Sequence, residues 1–136
     1  MIEQDYVNGQ LLLKRNDKVI KTYKFKEFVS AKQFKPVNIL RNELVKVSQG
    51  TKDATQKQVD LIERKFYDSC TSVALSNPTP FDEALEIMTH AELGQLSEEI
   101  LIFLLNWSTI EAVKAFGKQL AETKTKEEKP TTDSQK

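Results

Sequence analysis

SEEILIFLLNWSTIEA, at residues 97–112, places six apolar residues in a row, Ile100 to Leu105, just before Trp107. The run is too short to cross a bilayer, which needs about 20 residues. Ser97 is a favourable N-cap residue, so the pattern predicts a helix over 98–106 that is apolar on every side. Protein must surround such a helix. Either other helices of the chain cover every face, or one face binds a partner.

Helical geometry separates the apolar residues of this segment into two sets, because each residue turns the helix by about 100°. The set that contains both aromatic residues is predicted to bind a partner, since aromatic side chains dominate interfaces. It comprises Ile100, Phe103, Leu104 and Trp107. Leu101 and Leu105 lie on the flank and are expected to serve the core. The simpler interpretation, a helix that is core on all sides, stays open at this point.

The composition is that of one folded domain. The chain has 136 residues, of which 39% are apolar and 29% charged, and this length suffices to bury a core. The N-terminus lacks the basic start and apolar centre of a signal peptide. Cys70 is the only cysteine, which excludes an intrachain disulfide and favours a reducing compartment.

Opposite charges are concentrated in different parts of the chain. Residues 1–50 contain ten Lys or Arg and five Asp or Glu, whereas residues 76–122 contain two and eight. This polarity favours packing of one half on the other, or self-association of copies from basic end to acidic end. It argues against a dedicated nucleic-acid-binding protein, which would show an unbalanced basic surface.

The N-terminal part predicts a β-hairpin over about residues 10–28. QLLLKR and KVIKTYKF read as two strands joined by a turn at Asn16-Asp17, residue types that tolerate left-handed backbone. Val19, Tyr23 and Phe25 should share one face of the second strand. A second turn at Asn8-Gly9 makes a third strand possible.

The remainder predicts helices over residues 36–122. Their predicted ranges are 36–49, 54–75, 80–88, 90–96, 98–106 and 109–121, with Pro36 at the first helical position and caps at Asp53, Thr79, Thr89, Ser97 and Ser108. The first two should pack antiparallel. The predicted fold is therefore mainly α, a compact multi-helix domain over residues 1–122 with an N-terminal β-hairpin. Residues 123–136 are polar and predict a disordered C-terminal tail.

Side chains that could carry chemistry are scarce. His90 is the single histidine, Cys70 lies on an apolar helical stripe, and four glycines are scattered, so neither a metal site nor a phosphate loop is indicated. Carboxylate pairs at predicted helix starts stabilise those helix ends. The sequence therefore predicts a protein that is not an enzyme, with no catalytic residue, no cofactor and no metal ligand.

The segment KTYKFKEFVSAKQFK, residues 21–35, interleaves five lysines with four aromatic residues. Such interleaving is used by proteins that bind single-stranded nucleic acid. The alternative is a strand and turn whose aromatic residues face the core and whose lysines face solvent. We expect nucleic-acid binding to be the less favoured function, because the acidic second half would repel the same ligand.

The order of these features resembles the tail assembly chaperones of long-tailed bacteriophages, over about residues 19–107. The matching pieces are IKTYKFKEF leading into VSAKQFKPVNIL, the helix VDLIERKFYDSC, then NPTPFDEALEIMTHAELGQL and the helix SEEILIFLLNW. In that family a basic, aromatic lead-in precedes two helices, a short segment shaped like FDEAL…EL, a hydrophobic last part and a polar tail.

The resemblance implies a function in phage tail morphogenesis. Its partners would be the tape measure protein, which it binds and keeps soluble, and the tail tube protein, whose subunits it helps to recruit. It would act in the host cytoplasm and be absent from the mature virion. Many members are also made in a C-terminally extended form by frameshifting. A structural adaptor retained in an assembly is a further alternative, and neither interpretation involves a membrane.

Overall fold

Three strands precede five helices in the part of the chain that the structure describes. The computed structural model describes residues 1–50 and 53–133, with side chains up to residue 123. The strands are β1 (Ile2–Asp5), β2 (Gln10–Arg15) and β3 (Lys18–Lys24), with a short 3-10 turn (Tyr6–Asn8) after β1. The helices are α1 (Ala31–Ser48), α2 (Gln56–Ala74), α3 (Phe81–Ile87), α4 (His90–Asn106) and α5 (Ile110–Asp133). The predicted fold class, mainly helical with an N-terminal β-hairpin, is confirmed.

The strands form an antiparallel sheet in the order β1-β2-β3. Asn16 and Asp17 form the predicted turn between β2 and β3, with φ of 52° and 64°, the left-handed values of a tight hairpin turn. Gly9, with φ of 67°, reverses the chain between the 3-10 turn and β2. The third strand that the sequence allowed is therefore present, and β2 lies between two edge strands.

A β-bulge in β3 changes which of its residues face the core. The pairing of β3 with β2 skips Ile20, and one extra residue reverses the alternation of side chains along a strand. Tyr23 and Phe25 are buried, whereas Val19 is 51% exposed. The prediction that Val19 shares their face is wrong for this reason.

Helix α1 begins five residues before its predicted start at Pro36. The Ser30 hydroxyl oxygen accepts the backbone N–H of Gln33 at 3.2 Å, and Gln33 Oε1 accepts the backbone N–H of Ser30 at 2.9 Å. This capping box satisfies two donors at the helix start, which outweighs the preference of proline for the first position. Pro36 consequently lies inside the helix, where it removes one intrahelical hydrogen bond.

Helix α2 also begins at a capping box, and it packs against α1 as predicted. The box is formed by Thr55 and Gln58 rather than by the predicted cap Asp53. The apolar stripe of α2 buries Phe66 and Cys70. The two helices thus form a hairpin whose buried side faces the remaining helices.

The start of α3 is stabilised from outside by α2, because Asp68 Oδ1 accepts the backbone N–H of Phe81 at 3.1 Å. Thr79, the predicted cap, is instead buried. Its Oγ1 lies 2.8 Å from the Tyr23 hydroxyl and accepts a hydrogen bond from Lys21 Nζ at 2.6 Å. Thr79 therefore anchors the loop before α3 to β3.

One continuous helix, α4, replaces the two predicted over 90–96 and 98–106. Thr89 and Glu92 form its capping box as predicted. Ser97 is not an N-cap but lies inside the helix. Once the helix has started at Thr89, the N–H groups near Ser97 bond to carbonyls one turn earlier, so a second cap has no free donor to satisfy.

Thr109 rather than Ser108 caps α5, since its Oγ1 accepts the backbone N–H three residues later at 3.2 Å. Ser108 has a φ of 57° and donates its hydroxyl to the Leu104 carbonyl at 2.8 Å. The backbone of α5 continues to Asp133, beyond the predicted end at 121. Of the tail predicted over 123–136, the last three residues and the side chains beyond residue 123 lie outside the described part.

Helix α4 supplies the centre of the hydrophobic core. The core's buried members include Leu11, Leu13, Tyr23 and Phe25 from the sheet, Phe66, Tyr67 and Cys70 from α2, and Leu96, Ile100, Phe103 and Leu104 from α4. The rings of Phe25 and Phe103 stack with centroids 4.4 Å apart. The sheet and the helices are therefore joined through α4.

One carboxylate is buried where the sheet meets α4. Glu92 is 5% exposed, and its Oε1 accepts hydrogen bonds from Arg15 Nη2 at 2.6 Å and from the backbone N–H of Thr89 at 2.8 Å. Its Oε2 forms an ion pair with the Met1 ammonium group. The hydrogen bond from Arg15, followed by the Met1 and Thr89 contacts, lowers the pKa of Glu92 to about 2 despite its burial.

Two glycines allow α5 to approach the N-terminal strands closely. A Cβ on Gly9 would lie 2.6 Å from Ile110 Cγ1, and a Cβ on Gly117 would lie 2.6 Å from the backbone nitrogen of Val7. Neither distance is possible between real atoms. Helix α5 therefore packs on the 3-10 turn only because these two positions lack a side chain.

We expect Gly117→Ala to lower the free energy of unfolding by about 1–3 kcal/mol, because the added methyl overlaps backbone that cannot move freely. Gly94→Ala is the matched control, since no atom lies within 4 Å of its Cβ. It should stabilise α4 by up to about 1 kcal/mol through helix propensity. Urea denaturation measures both. A Gly117→Ala protein stabilised as much as Gly94→Ala would contradict the close packing of α5.

Candidate partner-binding site

The residues predicted to bind a partner lie mainly in the interior. Ile100 and Phe103 are fully buried, Leu104 is 4% exposed, and Trp107 packs against the core. Leu105, predicted to serve the core, is 50% exposed. The prediction for Leu105 is therefore wrong, whereas Leu101 packs against the core as predicted. Because the sheet covers the aromatic face of α4, Ile100, Phe103 and Leu104 are buried within this chain. Sequence alone could not show which side of the helix the sheet would cover.

Trp107 lies at the edge of the core in a cluster of three aromatic rings. Its ring centroid lies 5.3 Å from that of Tyr6 and 5.0 Å from that of Phe116. These rings and Leu120, which is 41% exposed, line a cleft of about 640 Å³. We call this cluster, Tyr6, Trp107, Phe116 and Leu120, the aromatic corner. Of the four predicted residues, Trp107 lines this surface.

An apolar groove, formed by side chains from four helices, opens elsewhere on the molecule. It has a volume of about 260 Å³ and is lined by Leu44 of α1, Glu63, Phe66 and Tyr67 of α2, Phe81 and Leu85 of α3, and His90, Leu93, Gly94 and Ser97 of α4. We call it the four-helix groove. It is the surface whose shape and chemistry best suit an apolar side chain of a partner.

Contacts among neighbouring side chains shape the four-helix groove and leave part of it open. The rings of Tyr67 and Phe81 meet edge to face with centroids 5.3 Å apart. The Arg64 guanidinium covers Phe81, 5.2 Å from the ring centroid, and pairs with Asp82 at 2.7 Å. Gly94 leaves free space in the groove, since no atom lies within 4 Å of an added Cβ.

Leu85 gives the groove an exposed apolar side chain. It is 51% exposed, whereas its neighbour Ala84 is fully buried. FDEALEI alone does not show which of the two stays accessible, because adjacent helical residues lie about 100° apart and both can fall within one apolar stripe. The same helix presents acidic side chains to solvent, namely Asp82, Glu83 and Glu86. The groove is therefore apolar inside and acidic along its α3 side.

The aromatic residues of the basic segment 21–35 are mostly unavailable for stacking on bases. Tyr23 and Phe25 are buried, and Phe34 packs on the core, while Phe28 is 63% exposed. Lys21 is engaged with Thr79 at 2.6 Å. The contacts favour the alternative in which this segment is a strand and turn with structural aromatic residues.

The ionisable groups of the described residues offer no assembled centre. Burial raises the pKa of the Cys70 thiol to about 12, which keeps it protonated at neutral pH. No group of three or more His, Cys, Asp or Glu side chains in the described part could hold a metal ion. No helix there has the length and apolar content needed to cross a membrane. Among known proteins, no family model, no curated protein and no solved structure matches this chain.

Proposed function

We propose that this protein is a non-enzymatic chaperone that binds an amphipathic helix of a partner in the four-helix groove. The observation that carries the proposal is the open, apolar lining of that groove, with Leu85 half exposed at its edge. Helix-in-groove binding places spaced apolar anchors of the partner into a cleft of this kind.

The charge around the groove defines the partner's chemistry. Glu83 and Glu86 are exposed on α3, whereas Asp82 is already paired with Arg64. The segment from residue 76 to 122 is strongly acidic. The complementary ligand is a helix with an apolar stripe flanked by Lys or Arg. Like charges at this rim would oppose binding, so the rim also selects against acidic helices.

The resemblance in sequence supports a specific version of this function, a phage tail assembly chaperone. The helix in the groove then belongs to the tape measure protein, which the chaperone keeps soluble while tail tube subunits are recruited. This work takes place in the host cytoplasm, and the chaperone leaves before the virion is complete.

Co-expression tests the proposal directly. The proposed partner, a helix-rich tape measure protein, is produced with the wild-type chain or with Leu85→Glu, and its soluble fraction is measured. Leu85→Glu should abolish solubilisation and weaken binding at least tenfold, because a carboxylate in an apolar groove costs more than about 1.4 kcal/mol. Leu61→Glu is the matched control. Leu61 is 49% exposed and lies outside the groove.

Both variants should melt close to the wild-type temperature, since both positions are half exposed. Equal solubilisation by all three proteins would refute the groove as the binding site. Tight binding to single-stranded RNA that falls steeply with salt would instead favour the nucleic-acid interpretation. Retention of the protein in finished particles would favour the structural adaptor.

A further inference from the structure

We infer that copies of this chain associate head to tail, with the exposed end of β3 docking in the cleft between β1 and α4 of the next copy. The inference does not depend on the proposed function, since it concerns neither the four-helix groove nor its ligand. It assigns particular residues to the self-association that the segregated charges favour. The two contacting surfaces are called the basic edge and the acidic edge.

The basic edge consists of the open part of β3, namely Lys18, Val19 and Ile20, together with the exposed side chain of Lys24. All four residues are exposed, and Val19 and Ile20 are each 51% exposed. Further along β3, Asn77 closes the strand edge. Its side chain donates to the Thr22 carbonyl at 2.7 Å and accepts the backbone N–H of Lys24 at 2.9 Å. The basic edge therefore combines two exposed lysine side chains with two exposed apolar side chains, although the backbone of Lys24 is already hydrogen-bonded to Asn77.

The acidic edge lies on the opposite side of the sheet, between β1 and α4. A cleft of about 560 Å³ there is lined by Met1, Ile2, Glu3, Gln4, Gln95, Glu98 and Glu99. The cleft ends beside the aromatic corner, since Gln4 lines both clefts. Glu3 is already paired with Lys14 at 2.9 Å, and Glu99 accepts hydrogen bonds from Gln4 and Tyr6. Glu98, which is exposed, is therefore the carboxylate of this cleft best placed to meet a lysine of another copy.

The two edges complement each other in charge and in apolar surface. Lysines of the basic edge meet carboxylates of the acidic edge, and Val19 and Ile20 meet the aromatic corner, where Trp107 and Leu120 are accessible. Pairing of two basic edges would instead oppose lysine with lysine, which is destabilising across neighbouring strands. Unlike edges are therefore the favoured partners.

The sheet order determines the form of the assembly. Because β2 separates β1 from β3, the two edges point in opposite directions, and one copy can use both at once. A contact between two different surfaces is heterologous and continues from copy to copy as a ring or a filament. Species larger than a dimer are thus expected.

The first test is sedimentation velocity at low and high salt. At roughly 0.01 M salt charges interact over a Debye length of about 30 Å, whereas at roughly 1 M salt this length falls to about 3 Å. The wild-type mass should rise with concentration at low salt and fall at high salt. Lys18→Glu with Lys24→Glu, the reversed basic edge, should associate at least about tenfold more weakly. Glu3→Lys with Glu98→Lys, which reverses the charge of the acidic edge, should weaken association to the same degree.

Mixing the two variants is the decisive experiment, because each then presents a complementary edge to the other. The mixture should form species larger than a dimer, although each variant alone stays monomeric. Lys57→Glu with Lys65→Glu, an equal charge change on α2, is the matched control and should associate like the wild type. A monomeric wild type at low salt and high concentration, or a mixture that stays monomeric or dimeric, would overturn the inference.

Discussion

The Phe103→Glu protein should be unfolded at 25 °C. Phe103 is fully buried, and its ring stacks on Phe25. Loss of a buried phenylalanine costs about 3–5 kcal/mol, and burial of an unpaired carboxylate adds several more. The sum reaches the whole stability of an ordinary domain, about 5–15 kcal/mol. Far-UV circular dichroism and a thermal melt would show the loss of helix and of the cooperative transition.

Leu105→Glu is the control for this experiment, because Leu105 lies on the same helix and is 50% exposed. Its melting temperature should stay close to that of the wild type. If Phe103→Glu remained folded while Leu105→Glu unfolded, α4 would be rotated relative to the structure. The aromatic face of α4 would then again be a candidate surface for a partner.

Replacement of Glu92 by glutamine should lower the free energy of unfolding at pH 7 by about 3 kcal/mol, because it removes the charge paired with Arg15 and Met1. The pKa of Glu92 is lowered from 4.5 to about 2 in the folded protein. Its contribution is therefore complete above about pH 4.5 and is lost as the pH falls from there towards 2. Over this range the wild type should lose stability relative to Glu92→Gln.

Urea denaturation of both proteins at pH 7, 4 and 2 measures this difference. Glu98→Gln serves as the control, because Glu98 is exposed on the same helix and its removal should change stability little at any pH. A difference between wild type and Glu92→Gln that does not shrink on acidification would exclude the assigned ion pair.

Local patterns in the sequence sufficed for most elements of the fold. The turn at Asn16-Asp17 was predictable because few residue types adopt positive φ without strain. The two helices over α1 and α2 were predictable from apolar spacing. The first residues of these helices were not predictable. Ser30 and Thr55 each form a reciprocal pair of hydrogen bonds that starts the helix, and the sequence alone does not show that this pair outweighs the preferences of Pro36 and Asp53.

Long-range packing determined what the sequence could not show. Whether Ile20 bulges out of β3 depends on the partner strand, and this displaced Val19 from its predicted face. Which side of α4 is accessible depends on where the sheet docks, and this reversed the roles of Phe103 and Leu105. The four-helix groove could not be predicted from the sequence, because its lining residues come from four helices whose packing local patterns do not show.

The pairing of Arg15 with Glu92 also has a consequence for the time at which the protein folds during synthesis. The two residues are separated by 77 positions, which a ribosome takes roughly 4–15 s to add at about 5–20 residues per second. Until α4 emerges, β2 has neither its ionic partner nor the apolar surface on which the sheet packs. A two-stranded hairpin alone is marginally stable, and a larger sheet relies on burial of its apolar face. The N-terminal third of the nascent chain is therefore expected to stay incompletely folded until α4 has been synthesised. The speed of translation then sets how long QLLLKR and KVIKTYKF stay exposed to other nascent chains.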